Sequence, residues 1–259
     1  MDERHWLKAF DAMRGWTTAL LILGCGLALA GCASTELPPA EAQAALAAND
    51  PLEPMNRTIF DMNEGFDKNV LLPTAQAYVD VVPEPARNSV HNFLENLNLP
   101  VTFANDLLQG EFTRAGQTIG RFTVNTTVGV GGLFDIASDW GIPDHTEDFG
   151  QTLGVWGVGE GPYLVLPFFG PDPPRDATGQ IVDIFLDPTT YIQIRGHIYW
   201  SAGREVATAI DLRSRSIAEL DGIERSSVDY YASLRSLYRQ HRNNEIRNGK
   251  PDPNAMPDF

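Results

Sequence analysis

Beyond residue 32 the chain has no cysteine: its two thiols, Cys25 and Cys32, both lie near the start. That excludes a disulfide framework, a cysteine metal site and a thiol nucleophile from the remainder. Positive charge is also scarce. Lys and Arg number 19 against 34 Asp and Glu, a net charge of −15 over 259 residues. Such a chain repels nucleic acid, so no nucleic-acid partner is expected. It repels anionic headgroups too, so attachment to a membrane requires apolar burial or a covalent anchor. The motifs of common enzymes are missing as well. There is no Gly-x-Ser-x-Gly elbow, no His-Glu-x-x-His pair and no Gly-Lys-Ser/Thr after a glycine loop. Gly157-Val158-Gly159-Glu160-Gly161 lacks the strand-helix setting of a dinucleotide site. His91, His145, His197 and His241 are scattered, and Asp144-His145-Thr146-Glu147-Asp148 reads as a solvated loop before it reads as a cation site. No enzyme, metal or cofactor is called for.

What is present begins with an address. Trp16 to Ala30 is an uncharged, mostly apolar run behind Arg14. It is too short for a spanning helix, which needs about 20 residues, and suits a signal-peptide core. It ends in Leu29-Ala30-Gly31-Cys32, which resembles the bacterial lipobox. Residues 1–31 are therefore expected to be a lipoprotein signal peptide, with Cys32 as the site of lipid attachment; a plain secretory signal with an incidental cysteine is the alternative. Ala33, a non-Asp residue after that cysteine, favours the outer membrane under the sorting rule this resembles. The first twelve residues carry Asp2, Glu3 and Asp11, whereas a start at Met13 gives a basic lead, and both starts fit. Cleavage removes three acids and three bases, so the mature chain stays at −15.

Residues 32–49, Ala-rich with Pro38 and Pro39, read as the lipidated cysteine and a tether, residues 50–247 as the folded body, and 248–259 as a tail. Asp50-Pro51-Leu52-Glu53 is a helix start, with Asp50 as cap and Pro51 at the first helical position. The helix that follows bears Met55, Ile59, Phe60, Met62 and Phe66, either a core-facing stripe or a face for a membrane interface. Pro83-Glu84-Pro85 opens another helix. Pro100 is expected to end it, with a separate helix over Val101 to Leu108. Glu111 to Thr127 continues the helical pattern, and strand alternation is rare. From Phe149 to Pro171 only Glu160 is charged, amid Gly150, Gly154, Gly157, Gly159 and Gly161. That segment is too broken for a membrane helix. It is either a buried loop or irregular backbone beside a wet cavity. Ser226-Ser227-Val228-Asp229 caps a last helix, whose Arg235, Arg239, Arg242 and Arg247 read as a solvated face or a phosphate contact.

Several of these runs together resemble the MlaA (VacJ) lipoprotein family. They are Asp50-Pro51-Leu52-Glu53 with Asn56-Arg57, Asn92-Phe93 with Asn96-Leu97, Leu108-Gln109-Gly110, and Arg121-Phe122 with Asn125-Thr126-Thr127-Val128-Gly129. Gly132-Leu133-Phe134-Asp135 follows. The most specific is Glu147-Asp148-Phe149-Gly150-Gln151-Thr152-Leu153-Gly154, leading into Gly157 to Tyr163 and Leu166-Pro167. Pro171-Asp172-Pro173-Pro174-Arg175-Asp176 departs from the family, which usually carries Ser or Thr before Arg-Asp. The resemblance implies a mostly α, ring-like body of short amphipathic helices in the inner leaflet of the outer membrane. It implies an amphipathic channel, association with trimeric porins, and delivery of phospholipids from the outer leaflet to a periplasmic carrier, which keeps the membrane asymmetric. Gly154, Gly157, Gly159 and Gly161 then become candidates for the lipid path. A structural, porin-associated lipoprotein without transport, or a lipid hydrolase, is the alternative.

Overall fold

The computed structural model describes residues 48–192 and 197–251. The expected signal peptide, the choice between Met1 and Met13, Cys32, most of the expected tether and the end of the expected tail lie outside the described residues. The chain divides into two compact units, Met1–Asn56 and Arg57–Phe259. In the first, Asp50 is fully buried and its Oδ1 accepts a 2.7 Å hydrogen bond from Asn56 Nδ2. Pro51 and Leu52 form a turn, and helix α1 (Glu53–Phe66) starts two residues later than the Pro51 position expected from the sequence.

A π-helical turn, Asp67–Leu71, follows α1 and leads into α2 (Leu72–Val81). Next come α3 (Glu84–Gln109), α4 (Phe112–Thr127), the single turn α5 (Ile136–Asp139) and α6 (Phe149–Val155). A two-residue antiparallel pair, β1 (Val165–Leu166) and β2 (Gly170–Pro171), interrupts the helices, with Val165 opposite Pro171. Helices α7 (Pro174–Leu186), α8 (His197–Arg215), α9 (Ile217–Ser226) and α10 (Tyr230–Ile246) complete the described chain. Asp229 caps α10 as expected, its carboxylate accepting from Ala232 N–H.

Pro100 does not end a helix. It lies inside the 26-residue α3. The ring deletes the N–H that would have bonded the Asn96 carbonyl. Asn96, Leu99, Val101, Thr102, Asn105 and Asp106, on both sides of the proline, are all buried, and α3 packs most extensively on α4. That packing carries the helix through the lost hydrogen bond.

Burial in this protein runs opposite to the usual order. Among the described residues, seventeen buried side chains are polar or charged and eight are apolar, while thirty large apolar residues are exposed. Isolated exposed apolar residues need no explanation, but buried polar groups do. Helix α4 shows the pattern most clearly. Its buried face is Ala115, Thr118, Arg121 and Asn125, and Phe112 and Ile119 point outward. Helix α7 buries Arg175, Asp176 and Gly179, and exposes Ile181, Ile184 and Phe185. Among the described residues a small apolar core is formed by Tyr163, Val165 and Tyr231, with Ile59, Phe60 and Tyr238 against it. The α1 stripe is thus split: Ile59 and Phe60 face this core, whereas Met62 and Phe66 are exposed. Phe168 and Phe169 at the hairpin tip are exposed as well. Phe168 sits at φ 67°, a conformation that costs about 1–3 kcal/mol for a non-glycine residue. Asn63 holds it there: its Oδ1 accepts from Phe168 N–H at 2.8 Å and its Nδ2 donates to Leu166 O at 2.9 Å.

Candidate functional site

Two helices and one loop line a half-open cavity of about 320 Å³. Helix α3 contributes His91, Glu95, Asn98 and Thr102, with Leu94 and Leu99 between them. These recur every three or four residues and so share one face. Helix α8 contributes Arg204, Glu205, Thr208, Asp211 and Leu212 by the same rule, and Asp144-His145-Thr146 forms the third wall.

His91 ties the two helices together. Its Nδ1 lies 2.7 Å from Asp211 Oδ2 on α8, and its Nε2 lies 3.0 Å from Glu95 Oε1 on its own helix. The hydrogen bond with Glu95 raises the His91 pKa; burial opposes this without cancelling it. Asp211 is 2% exposed, and its Oδ2 also receives Arg215 Nε at 3.1 Å. Its Oδ1 is buried with no hydrogen-bond partner among the described residues. The Tyr78 hydroxyl on α2 is likewise buried and unpartnered; burial raises its pKa, and the Asp211 charge adds to the rise. Arg204 pairs with Asp187 behind the wall and donates to Thr189 Oγ1 at 3.1 Å.

The third wall is held from behind by buried ion pairs. His145 Nε2 stands 3.1 Å from both Asp106 carboxylate oxygens, and Thr118 Oγ1 donates to Asp106 Oδ2 at 2.6 Å. Arg121, 3% exposed, donates to both Asp135 oxygens at 3.0 Å and to Ile142 O at 2.8 Å. Its Nε lies 3.1 Å from Asp144, close enough for ion pairing but off the hydrogen-bond axis. Burial raises the Asp144 pKa, and repulsion from Glu95 and Asp135 works the same way against the Arg121 charge.

The family-like run at Glu147 to Gly154 is a structural hub beside this wall. Glu147, 2% exposed, accepts from Gln109 at 2.7 Å and from Arg114 at 2.6 Å. Asp148 takes both Arg242 terminal nitrogens at 2.6 Å, and Arg242 Nη2 also reaches Asp176 at 3.0 Å. Burial tends to raise the Asp148 pKa, but the Arg242 hydrogen bonds and charge outweigh it and hold it low. Within this loop Glu147 is thus enclosed and Asp148 partly so, while Asp144 and Thr146 are exposed, and among the described residues no group of three or more His, Cys, Asp or Glu could hold a metal ion. Three arginines of α10 are engaged within the protein. Arg242 is enclosed, Arg239 pairs with Glu160 at 2.6 Å, and Arg235 stacks over Tyr231.

The glycines fall into two kinds. A Cβ on Gly179 would meet Gly150 N at 2.2 Å, so α6 and α7 approach at backbone distance. Gly154 lies against Ile246, with 2.8 Å for a Cβ. Gly157 (φ 88°) and Gly159 face open space, and Gly161 (φ 79°) lies by Pro174. None of the four candidate glycines lines the α3–α8 cavity. The cavity residues themselves, His91, Arg204 and Asp211 above all, carried no motif. Their signal was polar residues at helical spacing where apolar ones would build a soluble core.

The family described as MlaA lipoprotein matches residues 48–245. The chain belongs to the MlaA lipoprotein family. An Escherichia coli relative, named "Intermembrane phospholipid transport system lipoprotein MlaA", is 37% identical over 250 residues, covering 91% of this chain and 92% of the relative. A Haemophilus influenzae MlaA of the same name is 32% identical, covering 93% and 96%. A solved structure reported under "Structural basis for maintenance of bacterial outer membrane lipid asymmetry" is 37% identical with a TM-score of 0.69. The match covers 76% of this chain and 98% of that one. The mostly α fold expected from the MlaA resemblance is therefore the fold observed.

Proposed function

We propose that this MlaA protein is a lipoprotein of the outer membrane that takes mislocalised phospholipids out of the outer leaflet through its polar interior. It passes them to a periplasmic carrier, which keeps the two leaflets different. The observation that carries this reading is the reversed burial: polar and charged side chains inside, large apolar side chains outside. Among the described residues no helix is long and apolar enough to cross a membrane. An apolar exterior on short helices suits a body sunk in one leaflet, and a polar interior gives a headgroup a route that hydrocarbon denies it. Moving an acyl chain through water would cost about 0.8 kcal/mol per methylene. A polar passage that admits the head while the tails stay in lipid avoids most of that barrier, and no bond is made or broken.

Cys32, acylated after cleavage at Gly31, anchors the chain on the periplasmic side, and the exposed apolar belt leaves room for trimeric porins as lateral partners. The open face at Gly157 and Gly159 flanks the lipid path. The relatives' names, given for transport and not for a hydrolytic activity, support the same reading.

The test is selective labelling of surface-exposed phospholipid in cells lacking the protein, with lysophospholipid measured by mass spectrometry. The proposal expects more labelled outer-leaflet phospholipid and unchanged cleavage products. Unchanged labelling contradicts transport, and a fall in lysophospholipid points to a hydrolase.

A further inference from the structure

His91 stands between two carboxylates. Its Nδ1 lies 2.7 Å from Asp211 Oδ2 on α8, and its Nε2 lies 3.0 Å from Glu95 Oε1, one turn along its own helix. A neutral imidazole carries one N–H and one lone pair, so it donates to only one of the two. Both contacts are hydrogen bonds only when the ring is an imidazolium. The observed geometry is therefore that of the protonated ring.

The two carboxylates are not equivalent. Asp211 is 2% exposed, cannot turn to water, and keeps a second donor in Arg215 Nε at 3.1 Å. Glu95 is 40% exposed and can exchange His91 for water. A proton lost from the ring thus leaves from Nε2, and the Nδ1–H stays on the buried partner. Arg215 also donates to Arg87 O and Asn88 Oδ1, so α3 and α8 stay joined when this happens. What changes is the charge of the cavity, which both His91 and Glu95 line. Tyr78 on α2, whose pKa burial raises, stays neutral throughout. Asp144, Arg204 and Glu205 complete the charged lining, with Arg121 behind Asp144. Between them stand Leu94, Leu99 and Leu212. Apolar walls focus the field of the few charges they enclose.

We propose that His91 is a proton-operated switch of the cavity's charge. Protonated, it pins and neutralises Glu95; deprotonated, it keeps Asp211 and releases Glu95 as an uncompensated anion. The hydrogen bond with Glu95 is the largest influence on the ring and raises its pKa; burial opposes it, Asp211 adds to it and Arg215 works against it. The switch therefore turns above the ordinary histidine value of about 6.5. The bridge contributes its full stability below about pH 6.5 and loses it as pH rises through the higher folded pKa. The consequence for lipid rests on the proposed passage of phospholipid through the polar interior. A released Glu95 repels an anionic phosphatidylglycerol head more than a net-neutral phosphatidylethanolamine head.

The experiment uses the full lipidated protein in nanodiscs of phosphatidylethanolamine and phosphatidylglycerol, with the histidine ring nitrogens isotope-labelled. His91→Gln identifies the His91 signals. An NMR titration from about pH 5 to about pH 9 should show both ring nitrogens protonated at the acid end and a midpoint above about 6.5. At the alkaline end the neutral ring should be the Nδ1–H tautomer. Glu95→Gln should lower the midpoint. An Nε2–H tautomer overturns the proposal, and so does a midpoint that Glu95→Gln leaves unmoved. If Glu95→Gln does not fold, the wild-type tautomer still decides. Native mass spectrometry then counts the two lipids retained across the same range. The ratio of phosphatidylglycerol to phosphatidylethanolamine should fall about three- to tenfold through the midpoint, the size expected of one unit charge at a partly hydrated site. His91→Gln should show no such step. A flat ratio in the wild-type protein beside the expected titration leaves the switch standing and strikes at the proposed passage of headgroups through this cavity.

Discussion

Arg121→Met tests whether the polar interior holds the fold. Arg121 is 3% exposed and links α4 to the segment from Asp135 to Asp144, which supplies the third wall of the cavity. Met keeps the length and removes the charge. The substitution deletes hydrogen bonds to Asp135, Ser138 and Ile142, and leaves two carboxylates without their cation. Burial works to raise the Asp135 pKa, but hydrogen bonds from Ser138 and Asn125 and the Arg121 charge hold it below the ordinary range. Breaking one side of a fully buried pair costs about 3–5 kcal/mol, but Asp135 and Asp144 are 27% and 47% exposed, so water screens part of that and the loss here is about 2–3 kcal/mol. Total stabilities run about 5–15 kcal/mol, so an eighth or more of the stability is at stake. At about 2–4 °C per kcal/mol, the melting temperature should fall by roughly 4–12 °C. The assay is thermal unfolding of the purified lipoprotein in detergent, beside the double variant Arg121→Met with Asp135→Asn. The double variant should recover part of the loss, because it removes one stranded charge. A single variant that melts with wild type would refute the idea that buried ion pairs, in place of an apolar core, hold these elements together.

Further outcomes follow, on Asp172 and the glycines from this geometry and on Cys32 from the sequence. Burial and the neighbouring Asp176 charge push Asp172 up to about 6. The folded protein therefore binds more protons than the unfolded chain between roughly pH 4 and pH 6, and stability falls as pH rises through that window. Asp172→Asn should add about 1–3 kcal/mol above pH 6 and nothing below about pH 4, and a pH-independent difference in unfolding would contradict the assignment. Gly159→Val should fold normally, since a Cβ there meets nothing within 4 Å, and should raise surface phospholipid if this face flanks the lipid path. Gly157→Val adds backbone strain of about 1–3 kcal/mol at φ 88°, so its protein level must be measured beside its barrier defect; normal barriers in both variants at normal levels would remove these glycines from the path. Cys32→Ser should leave an unprocessed precursor at the inner membrane, and acylated mutant protein in the outer membrane would overturn Cys32 as the anchor.

Much of the helical order was legible in the chain. Asp229 announced α10, and the glycine-broken segment resisted any regular element, as the structure shows for Gly157 to Gly161. Pro100 misled because local chemistry was read without the packing of α3 on α4, which keeps the helix intact. Arg242 and Glu147 misled for a related reason. A charged residue in a sequence reads as solvated until its partner is found, and here the partners lie 94 residues away at Asp148 and 33 away at Arg114. The cavity was hidden by the same inversion. Helical periodicity gave the pattern of α4 but not which face turns inward: Phe112 and Ile119 look outward, and Thr118, Arg121 and Asn125 face in. The MlaA resemblance gave the membrane setting in which that inversion makes sense.

The central claim is that the exposed apolar residues lie in hydrocarbon while the polar interior stays wet. The mature chain has no cysteine after Cys32, so single cysteines can be placed at Phe112, Ile184 and Phe185 and spin-labelled after reconstitution into bilayers. Collisional relaxation should show all three labels more accessible to oxygen, which concentrates in lipid, than to a water-soluble nickel chelate. A label at Glu205, on the cavity wall, should show the reverse. Outer positions that prefer the nickel chelate would place the apolar belt in water and contradict the account.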